Sequence, residues 1–256
     1  MRIVLKIGTS TLTHENGSLN IRTTELLCKV LSDLKNQGYE VILVSSGAIG
    51  MGVGKLSLRE KPQDIPTKQA AAAVGQCELM YTYDKMFAEY NHTIGQLLIT
   101  GDDFSHEDRH RNFVNTLERL LSFGVLPVIN ENDTVATAEI KVGDNDTLSA
   151  LVAKSVGADL LIILSDIEGL YTKDPHKDVS ARLIERVDAL TPEIIALGEG
   201  AGTPLGTGGM KTKLDAAAIC MEAGCDMAIV NGKKPTLLYD LLEGKSVGTL
   251  FLAKKD

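Results

Sequence analysis

Several short segments of this sequence gather groups that bind anions or carry charge. Lys6-Ile7-Gly8-Thr9-Ser10 places an ammonium and two hydroxyls around a glycine. Ser45-Ser46-Gly47-Ala48-Ile49-Gly50, followed by Gly52 and Gly54, is rich in glycine and hydroxyl groups. Asn130-Glu131-Asn132-Asp133 and Gly143-Asp144-Asn145-Asp146 supply carboxylates and amides, and Ser165-Asp166 adds a hydroxyl beside a carboxylate. Gly206-Thr207-Gly208-Gly209-Met210-Lys211-Thr212-Lys213 completes the set.

The lysines point to an anion. Lys6 ends an apolar run that reads as a strand, where an ammonium is costly to bury without a partner unless it snorkels to water. Lys211 and Lys213 fall at the start of a helix expected over 209–223, where the macrodipole disfavours positive charge. A bound phosphate reverses that penalty and takes hydrogen bonds from the free backbone N–H groups. The preceding glycines let the backbone approach it closely. The plainer alternative is a pair of solvated lysines. The acidic segments follow the opposite logic. Asp144, Asn145 or Asp146 can cap the helix that follows. Carboxylates beside an anion site repel it unless a cation intervenes, and a substrate ammonium, Mg²⁺, Lys6 and Lys213 are the candidates.

Familiar motifs are missing. A P-loop needs GxxxxGK[ST]; for Gly244-Lys245-Ser246 the first glycine would fall at Tyr239. No GxGxxG follows the strand-like runs ending at Ile7 or Val44. His106-Glu107-Asp108-Arg109-His110 fits HExxH, but its intervening and flanking residues are charged, so a solvated lead-in to a helix is expected and no metal site is assigned. His14, His92 and His176 are scattered and support no Ser-His-Asp arrangement. Cys28, Cys77, Cys220 and Cys225 show no CxxC pair and read as free thiols of a reducing compartment.

These segments must be held by a scaffold, and the pattern between them supplies one. Strand-like runs at 3–7, 41–44, 95–99, 125–129, 160–164, 227–230 and 248–252 alternate with helical patterns near 22–36, 69–89, 111–123, 146–156, 209–223 and 236–243. That order implies βαβ units and a mainly parallel sheet. Several strands are continuously apolar, as burial on both faces requires. With no tryptophan and 4% aromatic residues, the core must be aliphatic. Alternation over 138–143 suggests a small hairpin. No linker divides the chain, so one domain over 1–256 is expected. In an open parallel sheet ligands bind beyond the carboxyl ends of the strands, and almost every segment above follows a strand. The net charge of −8 gives no overall field for nucleic acid or an anionic membrane. Without a signal-like start or a membrane-length apolar run, a soluble cytoplasmic protein is expected.

In this order the segments resemble the amino-acid kinase family. The similarity is carried by Lys6 to Ser10, Ser45 to Ile49, the long stretch from Pro127 to Asp146, Gly169-Leu170-Tyr171-Thr172 with Asp174-Pro175, and Gly206 to Lys213. The resemblance implies an α/β fold, a three-layer α/β/α sandwich around a mostly parallel sheet. The branch it matches transfers the terminal phosphoryl of ATP, with Mg²⁺, to the γ-carboxylate of L-glutamate, the first step of proline biosynthesis. Catalytic roles are thereby implied for Lys6, Lys213 and Asp146, and glutamate binding for Ser46, Gly47, Asp133 and Asn145. ATP is expected on Lys6, Ser165, Asp166, Thr207, Gly208, Gly209, Met210, Lys211, Thr212 and Lys213. A homo-oligomer (dimer or tetramer) and feedback by proline are further expectations. Many members carry a C-terminal PUA domain, which this sequence is expected to lack. A kinase of the same fold for another small acid or UMP, or a nucleotide-binding sensor, remains an alternative.

Overall fold

The computed structural model describes residues 1–14, 18–60, 62–136, 144–175, 177–198 and 209–253. The hairpin expected over 138–143 lies outside these, as do Gly143, His176, Gly206, Thr207 and Gly208. Eight strands form one sheet: β1 (Arg2–Ile7), β2 (Glu40–Ser45), β3 (Ile94–Ile99), β4 (Leu126–Glu131), β5 (Leu160–Ser165), β6 (Arg186–Val187), β7 (Asp226–Asn231) and β8 (Thr249–Phe251). Their order is β3-β4-β2-β1-β5-β7-β8-β6. β1 is therefore central, in parallel register with β2 (Ile7 opposite Ser45) and with β5 (Ile7 opposite Leu164). Among the described strands, the β7–β8 pairing is antiparallel and the others are parallel.

The helices are α1 (Thr9–Leu12), α2 (Ile21–Asn36), α3 (Ala48–Lys55), α4 (Ile65–Ala88), α5 (Gly101–Ser105), α6 (Glu107–Ser122), α7 (Asn145–Ser155), α8 (Pro192–Ala196), α9 (Met210–Glu222) and α10 (Leu237–Leu242). They cover both faces, giving the α/β/α sandwich. One face packs Val4, Ile42, Ile129, Ile163 and Ile229 against residues of α6, α7 and α9. The other packs Ile3, Leu5, Ile7, Leu43 and Ile162 against α2, α4 and α10. Because side chains alternate along a strand, Lys6 shares the face of Val4 and points toward α7 and α9.

Several elements depart from expectation. The glycine-rich run after β2 is the helix α3, which follows Gly47 at φ 104°, a left-handed conformation that disfavours any side chain. Within α3, Gly52 lets the backbone meet that of α4. A Cβ on Gly52 would stand 1.8 Å from the Ala71 carbonyl oxygen, and one on Gly75 only 1.7 Å from that of Ala48. Glycine here serves packing, so the low helix propensity of the run is overridden. α4 starts at Ile65, earlier than expected, because Asp64 caps it by accepting from Thr67 N at 2.9 Å and Pro66 suits the first turn. α6 takes in most of the HExxH stretch, with Glu107 and Asp108 favourably placed in its first turn.

Gly75→Ala is expected to destabilise the fold by about 3 kcal/mol or more, the upper end of overpacking costs, because it opposes backbone rather than a movable side chain. A urea midpoint close to that of the unsubstituted protein would show that α3 and α4 can separate without loss.

Candidate active site

The carboxyl ends of β1, β2, β4 and β5 share one rim of the sheet, and the N-termini of α7 and α9 meet it from the face of Lys6. Asp144 starts α7, its Oδ1 accepting from Asp146 N (2.7 Å) and Thr147 N (2.9 Å). That cap sets Asp146 in the first turn, fully buried. Asp146 Oδ2 accepts from Lys213 Nζ at 3.1 Å, and Oδ1 forms an ion pair with Lys6 Nζ at 2.6 Å without an aligned hydrogen bond. Both lysines are themselves buried, at 9% and 7% exposure. Thr212 Oγ1 lies 2.9 Å from Asp146 Oδ2 and 2.8 Å from Gly209 O, two acceptors for one proton.

Burial alone would raise the Asp146 carboxyl, but Lys6 and then Lys213 hold it below the usual carboxylate range. Asp144 goes the other way. Burial pushes it up and the charge of Asp146 reinforces this, against the N–H groups it accepts from and the pull of Lys6. The ordinary capping role and the ion-pair role thus fall on adjacent residues of one turn.

A second set lies beside the first. Asn145 Nδ2 reaches Ser46 Oγ (2.8 Å), Asn130 Oδ1 (3.0 Å) and Ser45 O (3.1 Å), joining α7 to the ends of β2 and β4. Gly47 follows directly in the same turn. Asp133 is half-buried in the turn leaving β4. On the other side of β1, Ser165 ends β5, buried, with Oγ 3.3 Å from Asp166 Oδ1. Gly209 and Met210 begin α9, and Lys211 is exposed there. Gly8 lies beside Lys6, where a Cβ would stand 3.6 Å from Nζ, an ordinary contact distance.

The structure thus brings Lys6, Lys213 and Asp146 into contact and joins Asn145 to Ser46, while Thr207 and Gly208 lie outside the described residues. Sequence reasoning overlooked Gln76 and Tyr83 of α4. Gln76 Oε1 accepts from Asn130 Nδ2 at 2.9 Å, and the Tyr83 hydroxyl is 2.9 Å from Ser45 Oγ. Their separation of seven residues, two helical turns on one face, is the only hint the sequence held. The imidazoles of the HExxH stretch diverge. His106 Nδ1 lies 2.9 Å from Asp102 O and His110 Nε2 2.7 Å from Ser155 Oγ.

A buried carboxylate pairing two ammonium groups at a helix N-terminus leaves one net positive charge there, which suits an anion. The model of the amino acid kinase family matches residues 1–231, and the chain belongs to that family. Within it, glutamate 5-kinase of Clostridium tetani is 60% identical over 253 residues, covering 99% of this chain and 95% of that protein. Glutamate 5-kinase of Listeria innocua is 53% identical over 259 residues, covering 100% of this chain and 94% of its own length. Among solved structures, carbamate kinase from Giardia lamblia bound to AMP-PNP superposes with a TM-score of 0.70 at 17% identity, covering 99% of this chain and 98% of that one, and shares the fold.

Asp146→Asn leaves two buried ammonium groups uncompensated and is expected to cost about 3–5 kcal/mol at neutral pH. The sign of the pH dependence follows from the depressed folded pKa of Asp146. Its contribution is fully present above the unfolded value of about 3.9 and is lost as pH falls through the folded one. Melting curves of the two proteins should therefore converge below about pH 4. A difference that stays constant across that range would remove the ion-pair assignment.

Proposed function

We infer that this chain catalyses the reaction its relatives are named for, phosphorylation of L-glutamate by ATP. The observation that carries the reading is the convergence of Lys6 and Lys213 on Asp146 at the rim of the central strand. A γ-carboxylate oxygen of glutamate attacks the terminal phosphorus of ATP, the new O–P bond forms, and the bond to the ADP oxygen breaks. The products are L-glutamyl 5-phosphate and ADP. The nucleophile has a pKa near ~4.3 and is already ionised at neutral pH, so no general base is required. What remains is alignment of two anions and neutralisation of the charge on the transferring oxygens.

Lys6 and Lys213 serve as that clamp, with Asp146 fixing where their ammonium groups stand. The first turn of α9, from Gly209 to Lys213, offers backbone N–H groups to the ATP phosphates, with Thr207 and Gly208 preceding it in sequence. Ser165 and Asp166 take the nucleoside side. Ser46, Gly47, Asn145 and Asp133 hold glutamate, whose α-ammonium accounts for a carboxylate in a site that otherwise attracts anions. Magnesium fits best as part of the nucleotide. Both Asp146 oxygens are engaged by lysines, and one Asp144 oxygen is taken by backbone N–H groups. A role at the start of proline biosynthesis, feedback by proline and a homo-oligomeric state belong to the same reading and rest on the resemblance, while a cytoplasmic location and a single kinase domain over 1–256 rest on the sequence pattern.

Purified protein with Mg·ATP and hydroxylamine, which traps acyl phosphates as hydroxamate, is expected to respond to glutamate. Little response is expected to N-acetylglutamate, aspartate, carbamate or UMP. Preference for another acceptor would keep the phosphoryl clamp and overturn the substrate, and ATP binding without turnover would favour a sensor. Lys213→Ala should lower kcat at least ~100-fold with the fold intact by circular dichroism. Near-normal turnover would sink the clamp.

A further inference from the structure

Gln76 is 7% exposed on α4, with its carboxamide against the end of β4. Its Oε1 accepts from Asn130 Nδ2, while its Nε2 is buried without a partner among the described residues. That acceptor takes the Asn130 N–H₂ group and so reinforces the polarity of a chain of amides, alongside two backbone groups, Glu131 N–H on Asn130 and the Ser45 carbonyl on Asn145. With Nδ2 committed to Gln76, Asn130 turns Oδ1 to Glu131 N (2.9 Å) and to Asn145 Nδ2 (3.0 Å). Asn145 then offers both N–H bonds to Asn130, Ser46 and Ser45, and its own Oδ1 is the atom left facing away from them, as an acceptor.

We propose that Gln76 is a positioning residue for the acceptor substrate, acting through Asn130 to keep the Asn145 oxygen turned toward the substrate's ammonium group. Folding alone does not ask for an amide at this place. A buried N–H₂ without a partner costs free energy that a methionine of similar size would not. Without the Gln76 oxygen, Asn130 keeps the donors on its Oδ1, Glu131 N–H and Asn145 Nδ2, and loses the acceptor of its own Nδ2. A reversed Asn130 turns N–H toward Asn145, which relieves that clash by reversing only if it gives up its bond to the Ser45 carbonyl. Asn145 would present N–H donors to a cation, the wrong polarity for an amino acid and the right one for an uncharged or anionic group. The relay thus selects an acceptor molecule bearing a free ammonium.

The proposal rests on the glutamate reading above, and kinetics on the same preparation separate the two. Gln76→Met is expected to melt at the same temperature as the unsubstituted protein or higher. Its KM for glutamate should rise about ten-fold, the worth of one hydrogen bond, with kcat and the KM for ATP within about two-fold. Gln76→Glu, which keeps an acceptor toward Asn130 Nδ2, should return the glutamate KM to within about three-fold of normal. In an Asn145→Ala background, Gln76→Met should add nothing further. A normal glutamate KM in Gln76→Met would overturn the proposal. So would a loss spread equally over glutamate affinity, ATP affinity and melting temperature. If Met does not fold, Gln76→Leu takes its place, and failure of both to fold would assign Gln76 to the core and also overturn it. No glutamate turnover by the unsubstituted protein would remove the functional reading itself, an outcome visible before any variant is compared.

Discussion

The half of the rim around the central strand depends on one buried carboxylate. Asp146 is fully shielded from solvent between two ammonium groups, and none of the three charges would be tolerable there alone. Together they leave one net positive charge. Asp146 gains from the N-terminus of α7, whereas Lys213 sits close to the N-terminus of α9, against its dipole. The surplus therefore resides where two helix ends already point positive potential at the same place. In a protein of net charge −8, that local concentration rather than any overall field must attract a polyanion. The carboxylate also removes freedom from two long side chains. A lysine that must search for a phosphate loses rotamer entropy on finding it, and one already held in place does not.

The other half of the rim depends on closeness of backbones. Gly52 and Gly75 allow α3 and α4 to touch main chain to main chain, which sets the height of α4 above the strand ends. From there Gln76 and Tyr83 reach Asn130 and Ser45, one tied to β4 and the other to β2. Burying Gln76 with Nε2 unpartnered among the described residues, on a helix that otherwise packs Leu79 and Phe87 into the core, is a cost that local stability does not explain. It becomes intelligible if, as proposed, the turn that α4 supports binds the acceptor. The turn at Gly47, with its positive φ, then delivers Ser46 to Asn145.

Much of this was legible in the residues. Strands buried on both faces announce themselves as aliphatic runs, broken in β1 by Lys6, so β1, β2, β5 and β7 are legible to within a residue or two. The rule that ligands lie beyond strand ends groups Lys6, Ser46, Asp133 and Ser165 from the sequence alone. What stayed hidden was tertiary in origin. α3 contains Gly50, Gly52 and Gly54, and nothing local distinguishes glycines that admit a neighbouring backbone from glycines that cradle a phosphate. β6 has two residues, Arg186 and Val187, too few to show a period. Gln76 looks like any polar residue of a long helix until its partner on β4 is known. The HExxH pattern failed for a related reason, since His106 and His110 have separate obligations to Asp102 and Ser155.

The two halves of the rim differ in kind, and that difference is itself chemical information. Around Lys6 and Lys213 the fixed groups are charged and suit anionic oxygens whose charge must be neutralised during transfer. Around Asn130 and Asn145 they are mostly neutral amides and hydroxyls of locked orientation, with Asp133 in the adjoining turn. A neutral dipole recognises the sign of a ligand group without the desolvation penalty that a second buried ion pair would add. An amino acid presents a carboxylate to be phosphorylated and an ammonium to be recognised. A site that clamps one end by charge and reads the other by amide polarity can hold such a molecule in a single direction. Its side-chain carboxylate is then the group delivered to the lysines. Because that carboxylate is already ionised, direction and charge neutralisation are the two tasks left to the protein, and the two halves of the rim divide them.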